Sequence, residues 1–369
     1  MNILLVNWQD RLNPQAGGAE IHLFELFRRL VASGHRVRLV CSGWPGAPAV
    51  ADVDGIEVHR IGGRHSFALR GRGAVRRALR AERPDVVVED INKLPLYLPT
   101  LTDLPFAVII PHLFGTTAFA EASWPMAAAV VAAERVIPRV YRRAAFHVIS
   151  ESTRDDLVAR GVAASAITVI HPGVDAMTYT PDPSLDRTDP PSFLYVGRLR
   201  RYKGVQVAIE ALARTRQVRP DLRLQVAGTG ADRARLEAVA RQCGVSNAVE
   251  FLGFVDEATK IRLLRTTWAN LFPSPKEGWG ITIMEAAACG TPSIASDSPG
   301  LRDSVVDGVT GILVPHGDPR ALAARMLELA GSPARVRDLG QAARGHAERH
   351  SWEAAAGATE AHLQELTGG

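Results

Sequence analysis

The chain reads as an α/β protein built from two doubly wound parallel-sheet domains. Short β-branched runs alternate with amphipathic stretches of helical period, the rhythm of a parallel sheet covered on both faces. That rhythm breaks once, at PDPSLDRTDPPS (181–192), a proline- and aspartate-rich stretch without periodicity. The length, 369 residues, also exceeds what one core usually organises.

In the first half, NILLVN (2–7), HRVRLVCS (35–42), DVVVED (85–90), FAVIIPH (106–112) and AFHVIS (145–150) predict strands. AEIHLFELFRRLVASG (19–34) predicts a helix with Ile21, Phe24, Leu26, Phe27 and Leu30 as its apolar stripe and Gly34 as its C-cap. LRGRGAVRRALRAER (69–83) predicts a short basic helix. It spaces Arg72, Arg76 and Arg80 four apart, with Arg77 beside them and Val75 and Leu79 as an apolar edge. In the second half, SFLYVGR (192–198), LRLQVAG (222–228), VEFLGF (249–254), ANLFPS (269–274), TPSIAS (291–296) and GILVP (311–315) predict six more strands. SWEAAAGATEAHLQEL (351–366) opens on Ser351 as N-cap and reads as a terminal helix. The expected domains are 1–180 and 181–349, with the helix at about 350–366 packing back on the first.

Apolar residues make up 46% of the chain and charged residues 22%, ordinary values for a soluble globular protein, and no repeat or low-complexity tract is visible. The opening MNILLVNW lacks a basic leader and a cleavage site, and no apolar run approaches the roughly 18 residues of a membrane span, so a cytoplasmic location is expected. Cys41, Cys243 and Cys289 are an odd number at unrelated spacings, which indicates neither a disulfide framework nor a metal cluster. No metal, cofactor or nucleic-acid partner is expected. The formal charge is +4 and arginine dominates the cations, which fits either anionic partners or a GC-rich genome. Between His59 and Arg83 stand eight arginines against one glutamate, a denser basic segment than the average accounts for.

Three glycine-rich turns follow predicted strands: NPQAGGAE (13–20), VGRLRRYKG (196–204) and AGTGAD (227–232). None matches the dinucleotide fingerprint, and no P-loop is present. KEGWGITIMEAAACG (276–290) places Glu277 on a loop and Glu285 one turn inside a helix that starts near Ile281. Such a start offers unpaired backbone N–H groups and the positive end of the helix dipole to an anion. Arg198 and Lys203 flank a tight loop ending at Gly204, so the two cations and the helix start make a diphosphate clamp. An arbitrary Arg/Lys pair is more often solvated surface; the strand-end position decides for the clamp.

VGRLRRYKG followed about seventy residues later by KEGWGITIMEAAACGTPSIAS resembles the signature of the retaining GT-B glycosyltransferases of family 4, glycosyltransferase group 1. The resemblance extends to GGAE (17–20), HPGVD (171–175), FLGFV (251–255) and DGVTGILVPHGDP (307–319), almost the whole chain. It implies a GT-B fold, two Rossmann-like domains facing across a cleft. The implied reaction moves a hexose from a UDP- or GDP-sugar to an acceptor hydroxyl with retention, without metal or cofactor. By resemblance, Arg198 and Lys203 hold the donor diphosphate and the amides of Ile281 and Thr282 cap it, on a loop that includes Gly278, Trp279 and Gly280. Glu285 accepts the ribose hydroxyls, and Glu277 contacts the transferred sugar. Backbone around Val255 reads the base, Gly228 allows close approach, Gly17 and Gly18 close over the phosphates, and His112 stands beside the donor sugar.

Acceptor residues are expected in EDINKLP (89–95) and in 112–146, with a lipid-linked or cell-envelope glycan among the candidates. The arginine-rich segment suits peripheral contact with an anionic membrane at its inner face. A nucleotide-sugar epimerase on the same fold and a noncatalytic sugar-nucleotide-binding protein are the alternatives.

Overall fold

A computed structural model describes residues 1–120 and 123–368; residues 121 and 122, inside the 112–146 segment, and residue 369 lie outside the described residues. The chain forms two units, Met1–Pro172 with Trp352–Gly369, and Gly173–Ser351.

The first unit holds eight strands: β1 Asn2–Val6, β2 Arg36–Gly43, β3 Val50–Val53, β4 Ile56–Gly63, β5 Val86–Asp90, β6 Phe106–Ile110, β7 Ala145–Val148 and β8 Ile167–Val169. Their order is β3-β4-β2-β1-β5-β6-β7-β8. All neighbours are parallel except β3 with β4. Leu4, Val6, Val87, Val108, Phe146 and Val148 pack on one face with Phe67 and Val75 of the helix Phe67–Ala81. The helix Trp352–Thr367 lies against the helix Gly18–Ala32 and against β5 and β6.

The second unit is a six-stranded sheet of β9 Ser192–Val196, β10 Arg223–Ala227, β11 Val249–Gly253, β12 Ala269–Phe272, β13 Ser293–Ser296 and β14 Gly311–Val314. The order is β11-β10-β9-β12-β13-β14, parallel throughout. The strand order reverses direction around β9, so the loops after β9 and β12 stand at a switch point where ligands bind in such sheets.

Several expectations are corrected. Ile21 is 47% exposed, because the helical face through Leu23, Phe27 and Leu30 continues back to Glu20 rather than to Ile21. Strands β3, β4 and β8 are additional; β4 alternates buried Ile56, Val58 and Arg60 with half-buried Glu57 and His59, so charge masks its period. Two arginines of the basic segment are structural. Arg60 is buried on Asp10 at 2.7 Å, and Arg72 donates to the carbonyls of Leu96 and Tyr97 at 2.5 and 2.9 Å. Val75 and Leu79 pack into the core instead of forming a free apolar edge. The second unit starts at Gly173, and within it Arg187 donates to the carbonyls of Thr267 and Gly290, which holds the 181–192 segment in place.

Three histidines meet inside the first unit. His22, His147 and His362 are buried, with ring centroids 5.9 Å apart for His22 and His147 and 6.3 Å for His147 and His362. Among the described residues, both nitrogens of His22, and Nε2 of His147 and His362, have no hydrogen-bond partner. Burial pushes His22 from 6.5 down to about 4, and lowers His147 and His362 as well. A histidine whose folded pKa is depressed contributes full stability above its unfolded pKa and loses it as pH falls towards the folded one. The window for His22 therefore runs from pH 6.5 down to about 4 and is worth roughly 3 kcal/mol. Glu89 works the other way, since burial raises it from 4.5 to about 7, so its contribution shrinks as pH rises through that range. We predict that His22→Leu flattens the acid side of the stability curve relative to wild type, measured by urea unfolding between pH 7 and pH 4.5. Parallel curves for the two proteins would show that His22 does not titrate there.

Candidate donor and acceptor sites

In the second unit, the expected donor residues stand just beyond the carboxyl ends of four neighbouring strands. Arg198 follows β9, Gly228 follows β10, Val255 follows β11, and the Glu277 loop follows β12. The Arg198 guanidinium is exposed, and its carbonyl accepts from Tyr195 Oη at 3.1 Å. Lys203 closes a short 3-10 turn, Arg201–Lys203, and sends Nζ to both oxygens of Glu277 at 2.6 and 2.8 Å. Its ammonium also stands 4.9 Å from the Tyr202 ring centroid and 5.8 Å from that of Phe272. Burial works against the charge on Lys203, but Glu277 and Tyr202 more than offset it, so the lysine is held above its ordinary pKa.

Gly280, at φ 111°, turns the chain into the helix Ile281–Ala288. The first turn of that helix carries the Ile281 and Thr282 amides; the intrahelical bonds begin with Ile283 N–H to the Gly280 carbonyl at 2.8 Å. Trp279 is 2% exposed and its ring turns inward, 5.6 Å from that of His350. Glu285 accepts from Lys260 Nζ at 3.0 Å, and Tyr179 is a further hydrogen-bonding neighbour. Burial raises Glu285 above the usual carboxylate range against the pull of Lys260. Lys260, Tyr179 and the 83% exposed Phe254, next to Val255, were not anticipated. The exposed aromatic in FLGFV was a legible signal; the other two gave none.

In the first unit, Gly17 precedes the helix Gly18–Ala32 and donates its amide to Glu20 Oε2 at 2.7 Å. Glu20 also accepts from Asn92 Nδ2 at 3.1 Å and pairs with Lys93 at 3.7 Å. His112 follows β6, with its ring 5.1 Å from that of Phe114. The turn after it is fixed by buried Glu134, which accepts from the Phe114 and Gly115 amides at 2.7 and 2.8 Å.

Two consecutive buried carboxylates end β5, and they differ sharply. Glu89 accepts from the Leu96 and Leu98 amides and from Tyr141 Oη at 2.6, 3.3 and 2.9 Å. Asp90 is 2% exposed, yet among the described residues neither of its oxygens has a hydrogen-bond partner, nor has Oδ1 of Asn92. Burial, reinforced by Glu20, pushes the Asp90 carboxyl well above the usual range. The structure thus gathers Lys203 with Glu277, Glu285 with Lys260, and Glu20 with Asn92 and the glycine turn.

Two family models together cover most of the chain: Glycosyltransferase Family 4 matches residues 16–178 and Glycosyl transferases group 1 matches residues 180–346. The chain is 30% identical to the glycogen synthase of Mycobacterium tuberculosis H37Rv, over 93% of this chain and 89% of that protein. It is 28% identical to the D-inositol 3-phosphate glycosyltransferase of Streptomyces bingchenggensis, over 93% and 84%. The chain therefore belongs to the family 4, group 1 glycosyltransferases and is a glycosyltransferase with the GT-B fold. Among solved structures, sucrose-phosphate synthase from Thermosynechococcus elongatus shares the fold at TM-score 0.86 and 23% identity, covering 99% of this chain and 98% of that one. Anabaena Alr3699/HepE in complex with UDP-glucose does so at 0.79 and 18%, covering 99% and 100%.

A Cβ on Gly228, at φ 139°, would stand 1.9 Å from the Gly197 carbonyl oxygen. The turns after β9 and β10 therefore touch through backbone alone. We predict that Gly228→Ala costs roughly 2 kcal/mol of stability and displaces the Arg198 turn. Denaturant unfolding and nucleotide titration check this; unchanged stability and affinity would remove the steric role.

Proposed function

We propose that the protein transfers a hexose, with retention, from a UDP- or GDP-sugar to an acceptor hydroxyl. The observation that carries this reading is the Lys203–Glu277 pair beside the start of the Ile281 helix, where cation, carboxylate and backbone N–H groups converge at the sheet's carboxyl edge. The bond that breaks joins the anomeric carbon to a phosphate oxygen, and the leaving nucleoside diphosphate gains negative charge. Arg198, Lys203 and the Ile281 and Thr282 amides face that charge and lower the barrier. Glu277, held by Lys203, receives the hydroxyls of the transferred sugar, and Glu285 receives those of the ribose. Val255 and Phe254 meet the base, and His112, Gly17 and Gly18, in the first unit, keep the donor roles that the family resemblance gives them.

The acceptor side is assigned to Asp90 and Asn92, whose oxygens lack hydrogen-bond partners among the described residues and so can bond acceptor hydroxyls, whereas the saturated Glu89 is structural. No metal or cofactor takes part in this scheme; the cations supply the charge. A cytoplasmic protein in peripheral contact with an anionic inner membrane face fits Arg70, Arg76, Arg77 and Arg80, which remain exposed, and Leu69, 85% exposed. No described helix is long and apolar enough to cross a membrane.

The expected outcome of product analysis with UDP- and GDP-sugars is transfer with a net retained anomeric configuration that EDTA does not diminish. Lys203→Ala and Arg198→Ala should each slow transfer about a hundredfold, near 3 kcal/mol. Glu285→Ala should chiefly weaken donor binding, and Glu277→Ala should chiefly lower turnover. Epimerised donor in place of transfer, or donor binding without turnover, would favour the alternative readings; loss of activity on chelation, restored by magnesium, would return a metal to the mechanism.

A further inference from the structure

The helix Ile281–Ala288, whose first turn carries the Ile281 and Thr282 amides, is eight residues long and opens on Gly280, which has no side chain to cap it. Isolated helices shorter than roughly 12–15 residues are marginal in water, so tertiary contacts must hold this one. One segment supplies them at both ends. The helix Pro333–Ala347 and the turn after it pass along the shorter helix in the opposite direction. A Cβ on Gly340 would stand 2.2 Å from the Gly290 carbonyl oxygen, so the two backbones touch beyond the C-terminal end. Arg344 then donates to the carbonyls of Ala288 at 2.6 Å and Tyr179 at 2.7 Å. Ahead of the N-terminal end, the His350 ring packs against the buried Trp279 indole, with centroids 5.6 Å apart and planes tilted by 47°.

His350 is itself fixed on several sides. Its Nδ1 lies 3.0 Å from the His346 carbonyl oxygen, and a carbonyl only accepts, so Nδ1 carries a proton and donates it. The His346 ring stands 4.7 Å away, and its Nδ1 accepts from Arg349 at 3.1 Å. The His350 carbonyl accepts from the Val174 amide at 2.8 Å. Trp279, by contrast, stands between Gly278 and Gly280, so its indole is the one side chain by which the chain from Glu277 to Ile281 can be gripped. On the upstream side that chain is held through backbone, because a Cβ on Gly300 would stand 2.1 Å from the Glu277 carbonyl oxygen.

We propose that His350 is a positioning residue for the donor: by holding the Trp279 ring it fixes the Gly278–Gly280 backbone and the direction in which the Ile281 and Thr282 amides point. The role presupposes that those amides cap the donor diphosphate, as in the transfer proposed for this chain, and every residue it uses belongs to the second unit. Two glycines flank the indole, so releasing the ring frees the backbone on both sides of it. A loop that must then be ordered on binding lowers affinity.

Calorimetric titration of the full chain with UDP and GDP, together with amide hydrogen exchange over residues 276–288, tests this. For whichever nucleotide the wild type binds, His350→Ala should weaken binding about tenfold and speed exchange of the Ile283 and Met284 amides by a similar factor. His350→Phe, which keeps a ring against the indole, should return both to within about threefold of wild type. His350→Asn, which keeps a donor for the His346 carbonyl but no ring, should behave like the alanine variant. Leu339→Ala, at a buried core position of the helix Pro333–Ala347, should lower the thermal midpoint and leave nucleotide affinity unchanged. Wild-type affinity in His350→Ala, failure of phenylalanine to restore binding, or an equal loss in Leu339→Ala overturns the role of His350 alone. A wild type that binds neither nucleotide overturns the donor reading and this role with it.

Discussion

The second unit is organised by one ion pair, Lys203 with Glu277. The lysine comes from the turn after β9 and the glutamate from the loop after β12, so the pair ties together two segments 74 positions apart in sequence but on adjacent strands. Both side chains are mostly buried, with 12% and 14% of their side-chain surface exposed. Neither is tolerable there alone, because a buried charge that loses its partner typically costs about 3–5 kcal/mol. The same dependence sets the loop geometry: Gly204 must adopt φ 70° directly after Lys203, and the Glu277 amide is fixed on the Pro299 carbonyl at 3.1 Å. The fold alone thereby holds the ammonium in one place, the preorganised charge that the proposed transfer calls for.

Buried polar groups in the first unit sort by whether their hydrogen bonds are complete. Glu134 and Glu89 each collect backbone amides and hold the chain's course beyond β6 and β5. Asp90 collects none, and lies in one row with Ile109 and His147 across three strands. An unsatisfied group in such a place weakens the fold, and groups kept at that cost are typically tied to function.

Much of this was legible in the chain because the signals were local. Eleven strands announced themselves as apolar runs, and two of the three glycine-rich turns, 196–204 and 227–232, together with the Glu277 loop, sat just beyond the ends of β9, β10 and β12. Strand β4 was hidden by the charges on its half-buried face, and β8, Ile167–Val169, is too short to show a period. The basic segment misled for a related reason. Its composition is uniform, but Arg60 and Arg72 turn inward to partners far away in sequence, at Asp10 and at the Leu96 and Tyr97 carbonyls. Long-range partnership also concealed Lys260, whose role appears only once Glu285 is placed beside it.

The return of the helix Trp352–Thr367 to the first unit makes the second unit, topologically, an insertion. During synthesis the ribosome delivers Gly173–Ser351 as an uninterrupted stretch that can complete its own sheet. The first 172 residues meanwhile wait for their covering helix. Until then His22 and His147 lack the packing of Trp352 and His362, and part of the face carrying β5 and β6 stays open to water or to a chaperone. Completion of the first unit is thus governed by a segment made after the whole of the second, and the half whose strands emerge earlier is the half that matures later.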